Sequence, residues 1–239
     1  MLDIENTPHL TGVYIKGDRY DFENLYETLH EVVGTEETAK EHYEARMRVL
    51  GLCYDLRHAI MGHRNAYFIP HGLEEDQMVF LSLVGSKQNL YLSFEFYWPE
   101  LLFIGFALED FISLYAKRKK AHAWDANIMT VRHFQSLIAK LLEQTVTPRQ
   151  FSSIKKMMEP ASLRYKGYYS QYVDLQNIKW LNMTKEQRKK NLSIIAKRFN
   201  PDNSDYQKVK EEIEAAAKEY NCHPSDIRYN IEYPDEIEW

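Results

Sequence analysis

The chain has 239 residues, with 30 basic and 35 acidic side chains and a formal charge of −5. Hydrophobic residues at 44% and aromatics at 13% support a packed core and exclude wholesale disorder, while 9 Gly and 8 Pro are too few for a linker-like or collagenous chain. Asp3 and Glu5 stand where a secretory leader needs basic and then apolar residues, and two cysteines, Cys53 and Cys222, are too few for a disulfide scaffold, so a reducing cytoplasmic setting is expected.

In chain order, Leu10 to Lys16 reads as a short strand closed by Gly17 and Asp18. Asp21 is the expected cap of a helix to about Val33, with Phe22, Leu25, Tyr26 and Leu29 on one face. After Gly34, Thr35 is expected to open a longer helix with the apolar stripe Ala39, Tyr43, Met47, Leu50 and Tyr54, stopping near Gly62. Ala66 to Ile69 reads as a brief strand. Met78 to Val84 and Asn89 to Tyr97, separated by Gly85-Ser86-Lys87-Gln88, read as a β-hairpin.

Trp98-Pro99 opens a helix to about Lys117 that is apolar nearly all round from Leu101 to Tyr115. It is too short and too charged to span a membrane, so it is expected to be the central core helix, and no membrane partner is expected. Lys117 to Lys120 places cations at the negative end of its dipole. Amphipathic helices are predicted at about 126–145 and 148–158, and 160–182 reads as irregular and Tyr-rich. Thr184 to Gln187 and Ser204 to Gln207 read as capping boxes for helices to Phe199 and Tyr220. Pro224 starts a last short helix, before an acidic tail from Tyr233 to Trp239. The expected class is α+β: a small, mostly antiparallel sheet packed by helices, then a helical C-terminal unit. The expected organisation is a core domain at 1–160, an irregular connector at 161–182 and the C-terminal unit at 183–239.

The net charge conceals segregation. Residues 1–116 carry 8 basic and 19 acidic side chains, residues 117–200 carry 18 and 5, and residues 201–239 carry 4 and 11. Either the fold brings these opposite fields together, or the basic block forms a phosphate-binding patch.

Arg57 and His63 fit the Arg-x4–6-His spacing of HEPN-type ribonucleases, in which an Arg neutralises the scissile phosphate and a His transfers a proton. Arg57 follows Leu50 by seven residues and so is expected on the core-directed stripe, where it needs a partner. Glu109 or Asp110, adjacent on the apolar helix, could supply a buried ion pair that makes Arg57 purely structural. A second candidate interleaves Arg164 and Lys166 with Tyr165, Tyr168, Tyr169 and Tyr172, the cation-and-aromatic mixture that single-stranded nucleic acid needs. The same tyrosines could instead pack.

Ala215 to Arg228 resembles a helix-turn-helix, but its acidic balance suits packing or protein docking better than DNA. His58, His63, His71, Cys53 and Asp55 form no metal-ligand frame, and no phosphate-binding Gly loop or nucleophile elbow is present, so neither metal nor cofactor is expected.

Leu50-Gly-Leu-Cys-Tyr-Asp-Leu-Arg-His-Ala59 with Gly62 and Arg64, the opening Thr7 to Ile15, and Trp98 to Phe103 resemble an uncharacterised family of bacterial and phage-encoded proteins. The resemblance covers roughly residues 7–116. It implies a bacterial or phage cytosolic setting and carries no reaction or site. The leading expectation is a non-enzymatic regulatory or interaction protein, acting on a protein partner or as a homo-oligomer through its segregated charges. The alternative is a nucleic-acid-acting protein, binding through 163–172 or cleaving RNA through Arg57 and His63.

Overall fold

Alternation of apolar and polar residues over Gly12–Gly17 and Gln88–Tyr97 turns Val13, Ile15, Phe94 and Phe96 to one side, and these residues are buried. They lie at the centre of a four-stranded antiparallel sheet of β1 (Asp3–Asn6), β2 (Gly12–Gly17), β3 (Asn65–Pro70) and β4 (Gln88–Tyr97), in the order β1-β2-β4-β3. The structure is a computed structural model that describes residues 1–159, 164–167 and 169–239, Tyr169 by its backbone alone.

Helices cover one face of the sheet. Among them are α1 (Arg19–Val33), α2 (Tyr43–Ile60), α4 (Trp98–Lys119) and α5 (Ala126–Thr145). A short helix, α3 (Glu75–Phe80), sits between β3 and β4. Then follow α6 (Pro148–Lys155), α7 (Tyr169–Leu181), α8 (Lys185–Arg198) and α9 (Ser204–Glu219). As its all-round apolar sequence predicts, α4 is buried from Leu101 to Ile112 and forms the centre of a core that runs from Leu2 to Tyr206. No helix among the described residues is long and apolar enough to cross a membrane. The architecture is α+β with a helical C-terminal region.

Several boundaries differ from the sequence expectation, each for a physical reason. Asp18 rather than Asp21 caps α1, and Asp21 is its reciprocal capping-box partner. Thr35 exchanges bonds with Thr38, but a short turn of 3₁₀ helix at Lys40–His42 intervenes before α2, burying Ala39 and His42. Asn203, not Ser204, caps α9. Met78 to Val84 is not a strand: Glu74 and Gln77 form a capping box that starts α3, and β4 pairs with β3 instead. The stretch 160–182 is helical over α7, because Tyr172, Val173, Gln176 and Trp180 recur at helical spacing and are all buried. Strand β1, which the sequence reading does not anticipate, pairs with β2 from Asp3–Lys16 to Asn6–Val13.

The C-terminal tail returns to the start of the chain. His9 donates its backbone N–H to the Trp239 carbonyl at 3.1 Å, the Thr11 hydroxyl bonds the Glu238 carbonyl, and the Trp239 ring stacks on Tyr97 with centroids 5.0 Å apart. Gly12 makes this closure fit, since a Cβ there would meet the Phe96 carbonyl oxygen at 2.0 Å and the Trp239 ring at 2.9 Å. Arg188 is buried and donates to the carbonyls of His9, Trp180 and Leu181 and to the Thr11 hydroxyl.

Candidate functional site

The core-facing stripe of α2 is Ala45, Val49, Leu52, Cys53, Leu56 and Ala59, out of phase with the expected Tyr43, Met47, Leu50 and Tyr54. This shift turns Arg57 out to solvent, where its guanidinium lies 5.8 Å from the centre of the Tyr54 ring. Neither expected carboxylate meets it. Glu109 pairs with Arg132 and accepts from Gln135, whereas Asp110 lies 3.3 Å from His42 and accepts the backbone N–H groups of Arg164 and Tyr165 at 2.7 Å.

His63 meets His58, with their Nδ1 atoms 3.2 Å apart, and Arg64 pairs with Asp55 at 2.7 Å. Desolvation, and then the neighbouring charges of Arg64, His63 and Arg57, hold the His58 imidazole below its ordinary pKa. The result is an exposed, net-basic cluster at the end of α2, just before β3.

Two tyrosines of the Tyr-rich stretch are turned into the core. Tyr165 and Tyr172 are buried, with Tyr165 edge-on to Phe103 at 5.5 Å and Tyr172 edge-on to Phe199 at 6.0 Å. Faces held in the core cannot stack on bases. Lys166 is exposed and pairs with Glu41 at 2.6 Å, and Arg164 is half-buried. Tyr168 lies outside the described residues, as do residues 160–163.

Four cations of the basic block meet acids from the flanking blocks. Lys119–Glu31 (2.8 Å), Lys166–Glu41, Arg132–Glu109 and Arg198–Asp205 (3.8 Å) each join a cation of 117–200 to an acid outside it. A further ionic knot lies between helices: Arg48 reaches Asp174 at 2.5 Å and Glu100 at 3.2 Å, and Tyr233 donates to Asp174 at 2.7 Å. These groups are largely enclosed and satisfy one another, so they read as structure.

Beside these polar groups stands an exposed apolar face. Along β4 the inward-facing residues run Phe96, Phe94, Leu92 and Leu90, and their register continues onto Ala66 and Phe68 of β3. Phe94 is fully buried and Leu92 is 6% exposed, but the next pair, Leu90 and Phe68, is 49% and 64% exposed. The β3–β4 hairpin therefore runs past the helices and carries the core face of the sheet out into water.

Its 17-residue connection, residues 71–87, is an ordered tip. His71 donates its N–H to the Lys87 carbonyl at 3.1 Å, and Lys87 pairs with Glu75 at 2.9 Å. Helix α3 buries only Met78 and leaves Val79, Phe80, Leu81, Leu83 and Val84 exposed, Phe80 by 87%. With Met61, Phe68, Ile69, Leu73 and Leu90, exposed apolar side chains run the length of the arm, and clusters of this kind mark interaction sites rather than scattered surface residues. The sequence carries the signal as the run Met78 to Val84, but an apolar run reads as buried strand when nothing marks it as exposed.

The class so defined is an α+β protein whose antiparallel sheet extends into an apolar projecting hairpin. The chain belongs to the family described as Domain of unknown function (DUF6904), whose model matches residues 2–239 and so includes the C-terminal helices. No curated protein and no solved structure matches the chain.

Proposed function

We propose that the chain is a protein-binding module that acts through the β3–α3–β4 arm rather than through chemistry of its own. The observation that carries this reading is the continuation of the core face from Leu92 onto exposed Leu90 and Phe68, with the apolar tip beyond it. Large apolar patches rimmed by polar groups mark protein-interaction sites. Here the rim is Glu74, Glu75 and Asp76 at the tip and Arg57, Arg64, His58 and His63 at the base. The interaction surface is apolar, with charge around it, and four cations of the basic block already pair with acids elsewhere in the chain. A reducing cytoplasmic setting, bacterial or phage, belongs to the same proposal and is supported by the two unpaired cysteines.

The test follows the fluorescently labelled chain by sedimentation velocity in cell extract, beside a Phe68→Ser/Phe80→Ser/Val84→Ser variant. The native chain sediments in a larger species and the variant does not. Equal sedimentation of the two overturns the reading.

A further inference from the structure

A sheet has two edges, and here they are treated differently. Strand β1 packs against α5, and Asn6 donates its side-chain amide to Thr145 of that helix at 2.8 Å. Strand β3 pairs with β4 on one side and, among the described residues, with no strand on the other, so its outer N–H and C=O groups form an open ladder. The backbone of an antiparallel edge is most simply satisfied by another antiparallel edge.

Building on the arm as binding surface, we infer that its occupant is a second copy of this chain, joined by antiparallel pairing of the two β3 edges about a two-fold axis. Three features favour self-association. The first is extent: exposed apolar side chains run from Phe68 and Leu90 to Phe80 and Val84 at the tip, the length of surface that an interface of about 800 Å² per partner needs. The second is charge. Antiparallel pairing sets the tip of one copy, with Glu74 and Asp76, beside the base of the other, with Arg57, while Glu75 and Arg64 already hold Lys87 and Asp55 of their own copy. One chain thus carries both halves of a complementary pair, as an isologous interface requires. The third is face. A two-fold axis normal to the sheet keeps both core faces on one side, so Phe68 and Leu90 of the two copies join a single apolar stripe.

The register follows from parity and from Pro70. Paired residues must point to the same face, so the axis passes through a residue rather than between two. Pro70 has no N–H to give, and a ladder that leaves it outside centres on Tyr67, setting Ala66 opposite Phe68 of the partner subunit and Asn65 opposite Ile69 of the partner subunit. Proline also closes the ladder, so two copies complete it and a fibre does not follow.

The experiment uses the full-length purified chain. Sedimentation equilibrium gives a dimer for the native chain and a monomer for Phe68→Ser/Phe80→Ser/Val84→Ser. In a Cys222→Ser background, Tyr67→Cys is captured as a covalent dimer by a short thiol cross-linker, whereas Ile69→Cys, four residues out of register with its own copy, is not. Equal cross-linking of both cysteines means a parallel arrangement and overturns the inference, as does a dimer that survives the triple substitution. A purified chain that stays monomeric also overturns it. If that monomer still enters a larger, arm-dependent species in extract, the binding-module reading stands with a different occupant. If it does not, both fall.

Discussion

Phe68 on β3 and Leu90 on β4 are register partners on the same sheet face as buried Leu92 and Phe94, yet both stand in water. The strands carry the face further than the helices cover it. A side chain already exposed loses little when it becomes polar, whereas one inside the core loses its transfer energy and leaves a cavity. The arm and the core are therefore separable by mutation.

Thermal unfolding of the monomeric form reads that separation. Phe80→Ser or Val84→Ser changes stability by no more than about 0.5 kcal/mol. Phe94→Ala, at a fully buried position on the same sheet, costs about 3–5 kcal/mol. An arm substitution as costly as the core one would mean that the tip packs on the body.

Arg48 holds Glu100 and Asp174 together between α2, α4 and α7. Arg48→Met leaves two enclosed carboxylates without their cation, and removing one partner of a buried pair costs about 3–5 kcal/mol. Urea denaturation measures the loss. A change below about 1 kcal/mol would place the knot among weak surface pairs.

Glu44 is buried, and desolvation raises its carboxyl above the ordinary value of 4.5 despite Arg228 and Arg48 nearby. A raised folded value means the proton binds more tightly in the folded state. The favourable contribution is then fully present below the unfolded value and is lost as pH rises through the folded one. Glu44→Gln removes that dependence. The variant is more stable than the native chain at neutral pH, and the difference shrinks towards acid in urea titrations run across the range. A variant less stable at neutral pH contradicts the sign.

Burial pushes the Cys53 thiol up to about 12, while Cys222 is only half-buried near the end of α9. The thiolate is the reactive species, so Cys53 is inert in the folded chain. Titration with a disulfide reagent at neutral pH gives one fast thiol in the native protein and two after denaturation. A fast second thiol in the native state would contradict the packing of α2.

Much of the frame was legible because its signals are local. The cap at Thr184, the Pro99 start of α4 and the all-round apolar face of that helix each need only a few residues to read. What failed depended on phase or on distance. A two-residue shift in the stripe of α2 moved Arg57 from the expected core to solvent, and the burial of Tyr165 and Tyr172 depends on Phe103 and Phe199, far away in the chain. The arm was the hardest part. Its residues look like those of any buried strand, and only the sheet register shows where the covering helices stop.

Hydrogen exchange over residues 65–90 of the full chain, in dilute and in concentrated solution, tests the arm as docking surface most directly. The β3 amides gain protection as concentration rises, while the core helices exchange alike in both. Arm amides that exchange at the same rate at every concentration, or protection gained on another face instead, would contradict it.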